Sequence, residues 1–288
     1  MPTVTTDDGV KLYYEEAGSG LPIVFVHEFG GDYRSFEPQM RYFARNYRCV
    51  TYSARGYPPS EIPADVARYS QDRAVADILS VMDGLKLARA HIVGVSMGAM
   101  ACLHFSLRHP DRASAAVLGG CGSGAAPGAR AAFQQEADIT AARFERDGMA
   151  PVAADKARAG NRVQFIGKDP RGFAEFEQQY AEHSAVGSRN TQLGVQKTRP
   201  SLYDFADAMK ASTVPTLILS GDEDEPCLEP SLYMKRLMPL AGLAFFPKTG
   251  HVLNLEEPDL FNRFCADFFH QVERGRWPAR DPRAKPLL

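Results

Sequence analysis

Residues 91–100 read HIVGVSMGAM, an apolar run that leads to Ser96 with a glycine two positions to either side, Gly94 and Gly98. Upstream, "ARAHIVGV" has the β-branched character of a buried strand; downstream, Met100, Leu103 and Leu107 recur at helical spacing until Pro110 ends the pattern. A sharp turn from parallel strand into helix forces the corner residue into a strained backbone conformation and lifts its side chain above the sheet edge. Flanking glycines let the neighbouring strand and helix close in without a Cβ in the way. The hydroxyl then sits over a helix N-terminus, where backbone N–H groups stabilise negative charge as it develops. G-x-S-x-G alone arises by chance in Gly- and Ser-containing loops. The strand before it and the helix after it make this one the seat of a nucleophile.

The same rhythm runs outward from the serine. "VKLYYEEAG" alternates like a half-exposed strand, "PIVFVHEF" is a continuous buried run, and "YRCVTYSARG" and "RASAAVLGG" supply further strands. Helical patterns lie between them: Phe36, Met40 and Phe43, then Val75, Ile78, Leu79 and Met82. Buried strands separated by helices predict βαβ units, and therefore a mostly parallel sheet covered on both faces. The rhythm stops over residues 123–212, which are rich in Ala, Arg, Glu and Gln and carry helical stretches but no strand pattern. It resumes with "STVPTLILSGDEDEP" and "GLAFFPKTGHVLNLEEP".

The expected organisation is an α/β core at 1–122, a helical cap at 123–212, the rest of the core at 213–274 and a tail at 275–288. A block of about ninety residues is too long for a simple crossover, and it leaves from the strand ends where ligands bind in open α/β sheets. Its aromatic residues, Phe133, Phe144, Phe165, Phe173, Phe176 and Tyr180, read as an amphipathic packing face rather than as a binding box. The tail "GRWPARDPRAKPLL" is expected to pack loosely or fray, and no function is assigned to it.

At 288 residues the chain can bury a large core. Its 33 Lys and Arg against 35 Asp and Glu give a formal net charge of -2, which carries no bias toward nucleic acid or acidic membranes. Neither a signal peptide nor an apolar run of about twenty residues is present, so a cytoplasmic protein is expected. Five cysteines, Cys49, Cys102, Cys121, Cys227 and Cys265, show no C-x-x-C spacing and read as small buried apolar residues. The histidines show no metal-ligand spacing, and no metal site is expected.

A serine hydroxyl is a poor nucleophile at neutral pH and needs a base within hydrogen-bond reach and an acceptor that orients that base. "PKTGHVLNLEEP" offers His251 after a strand and before a helix beginning near Glu256, while "LILSGDEDEP" offers four acidic residues after the preceding strand. His27, His91 and His270 read as packing or exposed residues. "VFVHEFGGD" carries the Gly30–Gly31 pair, which lets backbone bend close to a ligand, and Phe29 and Met97 N–H are the expected oxyanion donors.

Together these pieces resemble the α/β-hydrolases across nearly the whole chain. "HEFGG" is similar to that family's oxyanion loop, "SARGYPPSE" to its R-G-x-G-x-S-like loop, "GVSMG" to its nucleophile elbow, "GDEDEP" to its acid loop and "GHVLNLEEPDLFN" to its histidine loop. The resemblance implies an eight-stranded, mostly parallel sheet, a lid after the sixth strand, no cofactor, and a triad of Ser96, Asp224 and His251. It favours Asp224 over Asp222, Glu223 and Glu225. Two departures stand out. Glu28 replaces the glycine that usually follows the loop histidine, and is expected to point away from the pocket rather than face it. Tyr57, Pro58 and Pro59 replace a small flexible stretch; Tyr57, with His27 and Glu28, is a candidate pocket residue.

The expected activity is hydrolysis of a small to medium carboxylic ester or lactone through an acyl-enzyme. Serine rather than aspartate at position 96 argues against epoxide hydrolases and haloalkane dehalogenases. C–C bond hydrolysis of dienoic ring-cleavage products, and a ligand receptor on a hydrolase scaffold, are the other readings. The expected partner is a small-molecule substrate, with no nucleic acid and no membrane; a homodimer is left open.

Overall fold

The computed structural model describes residues 1–284. Eight strands form one sheet: β1 (Thr3–Thr5), β2 (Lys11–Ala17), β3 (Pro22–Val26), β4 (Arg48–Tyr52), β5 (Ala90–Val95), β6 (Ala113–Gly119), β7 (Thr216–Gly221) and β8 (Ala241–Phe246), in the order β1-β2-β4-β3-β5-β6-β7-β8. β1, β2 and β4 pair antiparallel; every pair from β4 onward is parallel. β1 was not anticipated. Three residues are too short for a period-2 pattern to register, and only the Val4↔Leu12 pairing reveals the strand.

Parallel pairing demands crossovers, and the helices supply them. α1 (Glu37–Phe43), α2 (Gln71–Gly84) and α3 (Met97–Arg108) lie between the first strands. Because successive strand residues point to opposite faces, the central strand β5 feeds two cores. Ile92 joins Ile78, Val81, Leu103 and Phe105 on one side, whereas Val93 and Val95 join Phe25, Phe36 and Phe43 on the other. Burial of each such side chain contributes about 1.5–3 kcal/mol, which is why the apolar runs of β3, β5 and β7 have no polar face.

Between β6 and β7 the chain is helical: α4 (Arg130–Asp147), α5 (Met149–Ala157), α6 (Val163–Lys168), α7 (Pro170–Ala181), α8 (Ala185–Thr191), a π-helical turn at Gln192–Gln196, and α9 (Ala206–Lys210). Asp169 and Ser184 cap α7 and α8 with side-chain oxygens, so these starts are written locally. Phe144, Phe165, Phe173, Phe176 and Tyr180 turn inward and pack with Phe29, Tyr57, Met97 and Val252 of the core. Phe133 lies apart, against the Arg199 guanidinium. This third apolar cluster presses the helical insertion onto the C-terminal ends of the strands.

The chain closes with α10 (Glu225–Leu237), a one-turn α11 (Leu253–Glu256) and α12 (Pro258–Glu273), whose Phe261, Cys265, Phe268 and Phe269 form one buried face. The helix expected near Glu256 is thus two helices, because Pro258 fits only in a first turn and starts a new one. The tail departs from the loose packing expected of it. Trp277 stacks edge-on to Phe268 at 4.7 Å and donates Nε1–H to Leu240 O at 2.8 Å, and Arg280 N–H donates to Pro239 O. Residues 285–288 of that expected tail lie outside the described residues. Among the described residues no helix is long and apolar enough to cross a membrane.

Trp277→Ala is expected to cost about 2 kcal/mol, less than a fully buried aromatic because the ring is half-buried. Urea unfolding measures it; a midpoint within error of the native chain removes the tail from the fold's support.

Candidate active site

Ser96 occupies the corner between β5 and α3 with φ 54° and ψ -113°, a region that non-glycine residues rarely adopt. Close packing enforces it. A Cβ on Gly98 would lie 2.0 Å from Val26 O, and one on Gly94 2.5 Å from the Gly98 backbone, so only glycine lets α3 start this near to β3 and β5. Ser96 N–H donates to Gly119 O at 2.7 Å, fixing the corner against β6. The hydroxyl is half-buried, on the side covered by the insertion.

The loops after β7 and β8 bring the other two groups to this hydroxyl. Ser96 Oγ–H donates to His251 Nε2 at 2.7 Å, and His251 Nδ1–H donates to Asp224 Oδ2 at 2.7 Å. Of the four acidic residues in that loop, Asp222, Glu223 and Glu225 are exposed and Asp224 is fully buried. Burial pushes the Asp224 carboxyl up. The His251 ring, the Cys227 thiol and the Asn161 side chain outweigh it and hold it below the ordinary carboxylate range. Asp224 is therefore an anion at neutral pH, aligned to a single ring nitrogen, and that alignment leaves Nε2 free to accept a proton from the serine. Cys227 donates to Gly120 O at 3.3 Å, and burial raises its thiol well above the usual value, so it is inert.

The loop after β3 passes beside the serine. His27 donates Nδ1–H to Glu28 O at 2.7 Å and accepts Ala54 N–H through Nε2 at 3.0 Å. Burial lowers its pKa to about 4, so the ring stays neutral and pins this loop to the one after β4. As a candidate pocket residue, His27 contributes a ring face and no free nitrogen. With Tyr57, Met97, Gly98 and Val195 it lines a cavity of about 30 Å³ beside the elbow. The Tyr57 ring stands edge-on to His27 at 4.7 Å. Met97 is the first residue of α3, so its N–H has no acceptor within the helix. Among the described residues neither it nor Phe29 N–H donates to a protein acceptor.

Glu28, a candidate pocket residue, does not line the cavity beside the elbow; it is held in a buried ion pair. It is 4% exposed, and Arg162 Nη2, from the turn before α6, donates to its Oε2 at 2.7 Å. Burial alone would raise this carboxyl, yet Arg162, His251 and the Gly30 amide leave it below its ordinary value. Sequence reasoning missed both Arg162 and Asn161. They lie in a stretch without amphipathic pattern, and nothing in "AGNRV" marks partners as distant in sequence as Glu28 and His251.

Removing one member of this pair strands the other in a dry environment. Arg162→Met is expected to cost about 3–5 kcal/mol, and Glu28→Gln with Arg162→Met to recover most of it. Because the folded Glu28 carboxyl lies below its unfolded value, its contribution is complete above the ordinary carboxylate range and lost as pH falls through the folded value. Urea midpoints of the native chain should therefore drop relative to the double variant below about pH 4, a carboxylate's usual range; a pH-independent difference contradicts this.

Comparison with known proteins agrees with this architecture. A thermophilic esterase from Thermogutta terrifontis superposes with a TM-score of 0.84 at 23% identity, covering 94% of this chain and 98% of that one. In sequence, the chain is 23% identical to 3-oxoadipate enol-lactonase 2 of Acinetobacter baylyi, over 90% of this chain and 93% of the relative. It is 26% identical to 2-hydroxy-6-oxo-6-phenylhexa-2,4-dienoate hydrolase of Burkholderia cepacia, over 90% and 91%. The profile of the alpha/beta hydrolase fold family matches residues 22–258, four-fifths of the chain, and with the sheet order and the elbow this establishes that the chain belongs to that family.

Proposed function

We propose that this protein hydrolyses a small to medium carboxylic ester or lactone, with Ser96, His251 and Asp224 as its catalytic triad. One observation carries the reading: a single imidazole bridges a strained serine hydroxyl and a buried carboxylate at 2.7 Å on each side. Ser96 Oγ attacks the carbonyl carbon while its proton passes to His251 Nε2. The carbonyl π pair moves onto oxygen, where Phe29 and Met97 N–H donate to it; each such donor is worth about 3 kcal/mol to the transition state. The tetrahedral intermediate expels the alkoxide, which takes the proton from His251. Water then gives a proton to the same nitrogen and attacks the acyl-enzyme, and Ser96 recovers its proton as the acid leaves. Asp224 remains ionised throughout and stabilises the imidazolium.

Charge supports an uncharged acyl group. The Arg162 cation beside the oxyanion loop is already neutralised by Glu28, so it offers no free positive charge to an anionic acyl group. The enol-lactonase among the relatives supports a lactone, a cyclic ester that the same chemistry would open. The dienoate hydrolase supports C–C cleavage as the second reading.

A panel of p-nitrophenyl esters, lactones and a ring-cleavage dienoate, run beside Ser96→Ala, tests this. The native chain is expected to turn over p-nitrophenyl acetate repeatedly, and Ser96→Ala to lose at least about 10⁴-fold in kcat with its thermal transition intact. Retained hydrolysis in Ser96→Ala removes the serine from its role. Dienoate turnover above ester turnover moves the assignment to C–C hydrolysis, and a single burst without turnover moves it to a ligand receptor.

A further inference from the structure

The histidine loop is held from the insertion by two independent routes. His251 N–H donates to Asn161 O at 2.7 Å, and a Cβ on Gly250 would lie 2.3 Å from that same oxygen, so the loop and the turn before α6 touch backbone to backbone. The preceding amide, Gly250 N–H, donates to Glu256 Oε2 at 2.9 Å. The Glu256 side chain is wholly buried, and its other oxygen lies 3.2 Å from Lys168 Nζ at the end of α6. Lys168 also reaches Glu257 Oε1 at 2.6 Å and donates to Thr249 Oγ1 at 3.1 Å. A lysine of the insertion thus touches Thr249, Glu256 and Glu257, which surround His251 in sequence.

A loop anchored only at its strand and helix ends cannot hold an imidazole to within a few tenths of an ångström, the tolerance that proton transfer from a hydroxyl sets. A charged acceptor makes the Gly250 bond stronger than a neutral one would. Burial pushes the Glu256 carboxyl up, and the Gly250 amide and Lys168, a cation within ion-pair distance, are what oppose that and favour its charged form. We propose that Lys168 is a positioning residue for the reaction at Ser96: acting through Glu256, it fixes the Gly250–His251 peptide and so makes the aim of the imidazole depend on the insertion being seated. This rests on the hydrolase reading above. Lys168 touches no reacting atom; it acts on the geometry of the base. Docking of the insertion and assembly of the site become one event, because the same eight-residue stretch that carries Lys168 also carries Asn161 and the Arg162 that pairs with Glu28 on the oxyanion loop.

The test uses a fluorophosphonate, which labels an activated serine whatever the natural substrate is, together with p-nitrophenyl acetate kinetics. Lys168→Met is expected to slow labelling of Ser96 and lower kcat by about 10- to 100-fold, the range of a small misplacement, with KM within about twofold. Lys168→Arg restores both rates to within about threefold, and Glu256→Gln reproduces the loss without adding to it in the double variant. Lys210→Met, at an exposed lysine of α9, controls for loss of surface charge in the insertion and is expected to match the native chain. Circular dichroism at the assay temperature reports the folded fraction, so each rate is expressed per folded molecule. Lys168→Met labelled at the native rate, a loss confined to KM, or additive losses in the double variant each overturn the proposal and leave the hydrolase reading standing. A native chain that is not labelled, or is labelled equally after Ser96→Ala, overturns the hydrolase reading and the proposal with it.

Discussion

Everything at the strand ends depends on how near helix α3 comes to β3 and β5. Gly94 and Gly98 permit that approach, and it leaves Ser96 no backbone conformation except a strained one. The strain is a local cost, of order 1–3 kcal/mol, set against two packed cores that fix both flanking elements. Once the corner is fixed, the first amide of α3, next to Ser96 in sequence, is left without a protein acceptor among the described residues. The Ser96 hydroxyl and the first amide of α3 are therefore a single structural feature, placed chiefly by packing.

The remaining groups arrive on loops, and loops need other restraints. Asp224 is held by burial and by the ring it faces. His27, neutral because it is buried, ties the loop carrying Phe29 to its neighbour. Glu28 carries the same loop's connection upward to Arg162, and the residues around His251 are clasped between Asn161 and Lys168. The insertion thus does more than roof a cavity. It supplies contacts to both of the loops whose positions the core alone would leave soft.

How much of this is legible in the sequence follows from what kind of force places each residue. The strands β2 to β8 and helices α1 to α3 are written in periodicity, and the elbow in the spacing of two glycines, so these can be read directly. The choice among Asp222, Glu223, Asp224 and Glu225 cannot be made from residue type, because all four are carboxylates and only depth of burial separates them; the family resemblance favours the one that the fold buries. Glu28 stands out as a departure, but its direction depends on an arginine brought near by helices whose arrangement no local pattern encodes. Trp277 fails for a similar reason: a tail rich in Pro and Arg looks unstructured until the ridge formed by Phe268 and the bare surface of Gly242 are seen to fit an indole.

The seam between the insertion and the sheet is apolar in the middle and ionic at the margin. Phe29, Met97, Phe165 and Phe176 meet inside, while Arg34 with Glu182 and Lys168 with Glu257 close the rim, each with a quarter to a half of its side chain open to solvent. Dissolved salt screens such rim pairs over about 8 Å at physiological concentration and leaves buried hydrocarbon contacts almost untouched. Ionic strength therefore acts on the perimeter of this seam far more than on its centre, and how firmly the insertion is seated becomes a property of the surrounding medium as well as of the chain.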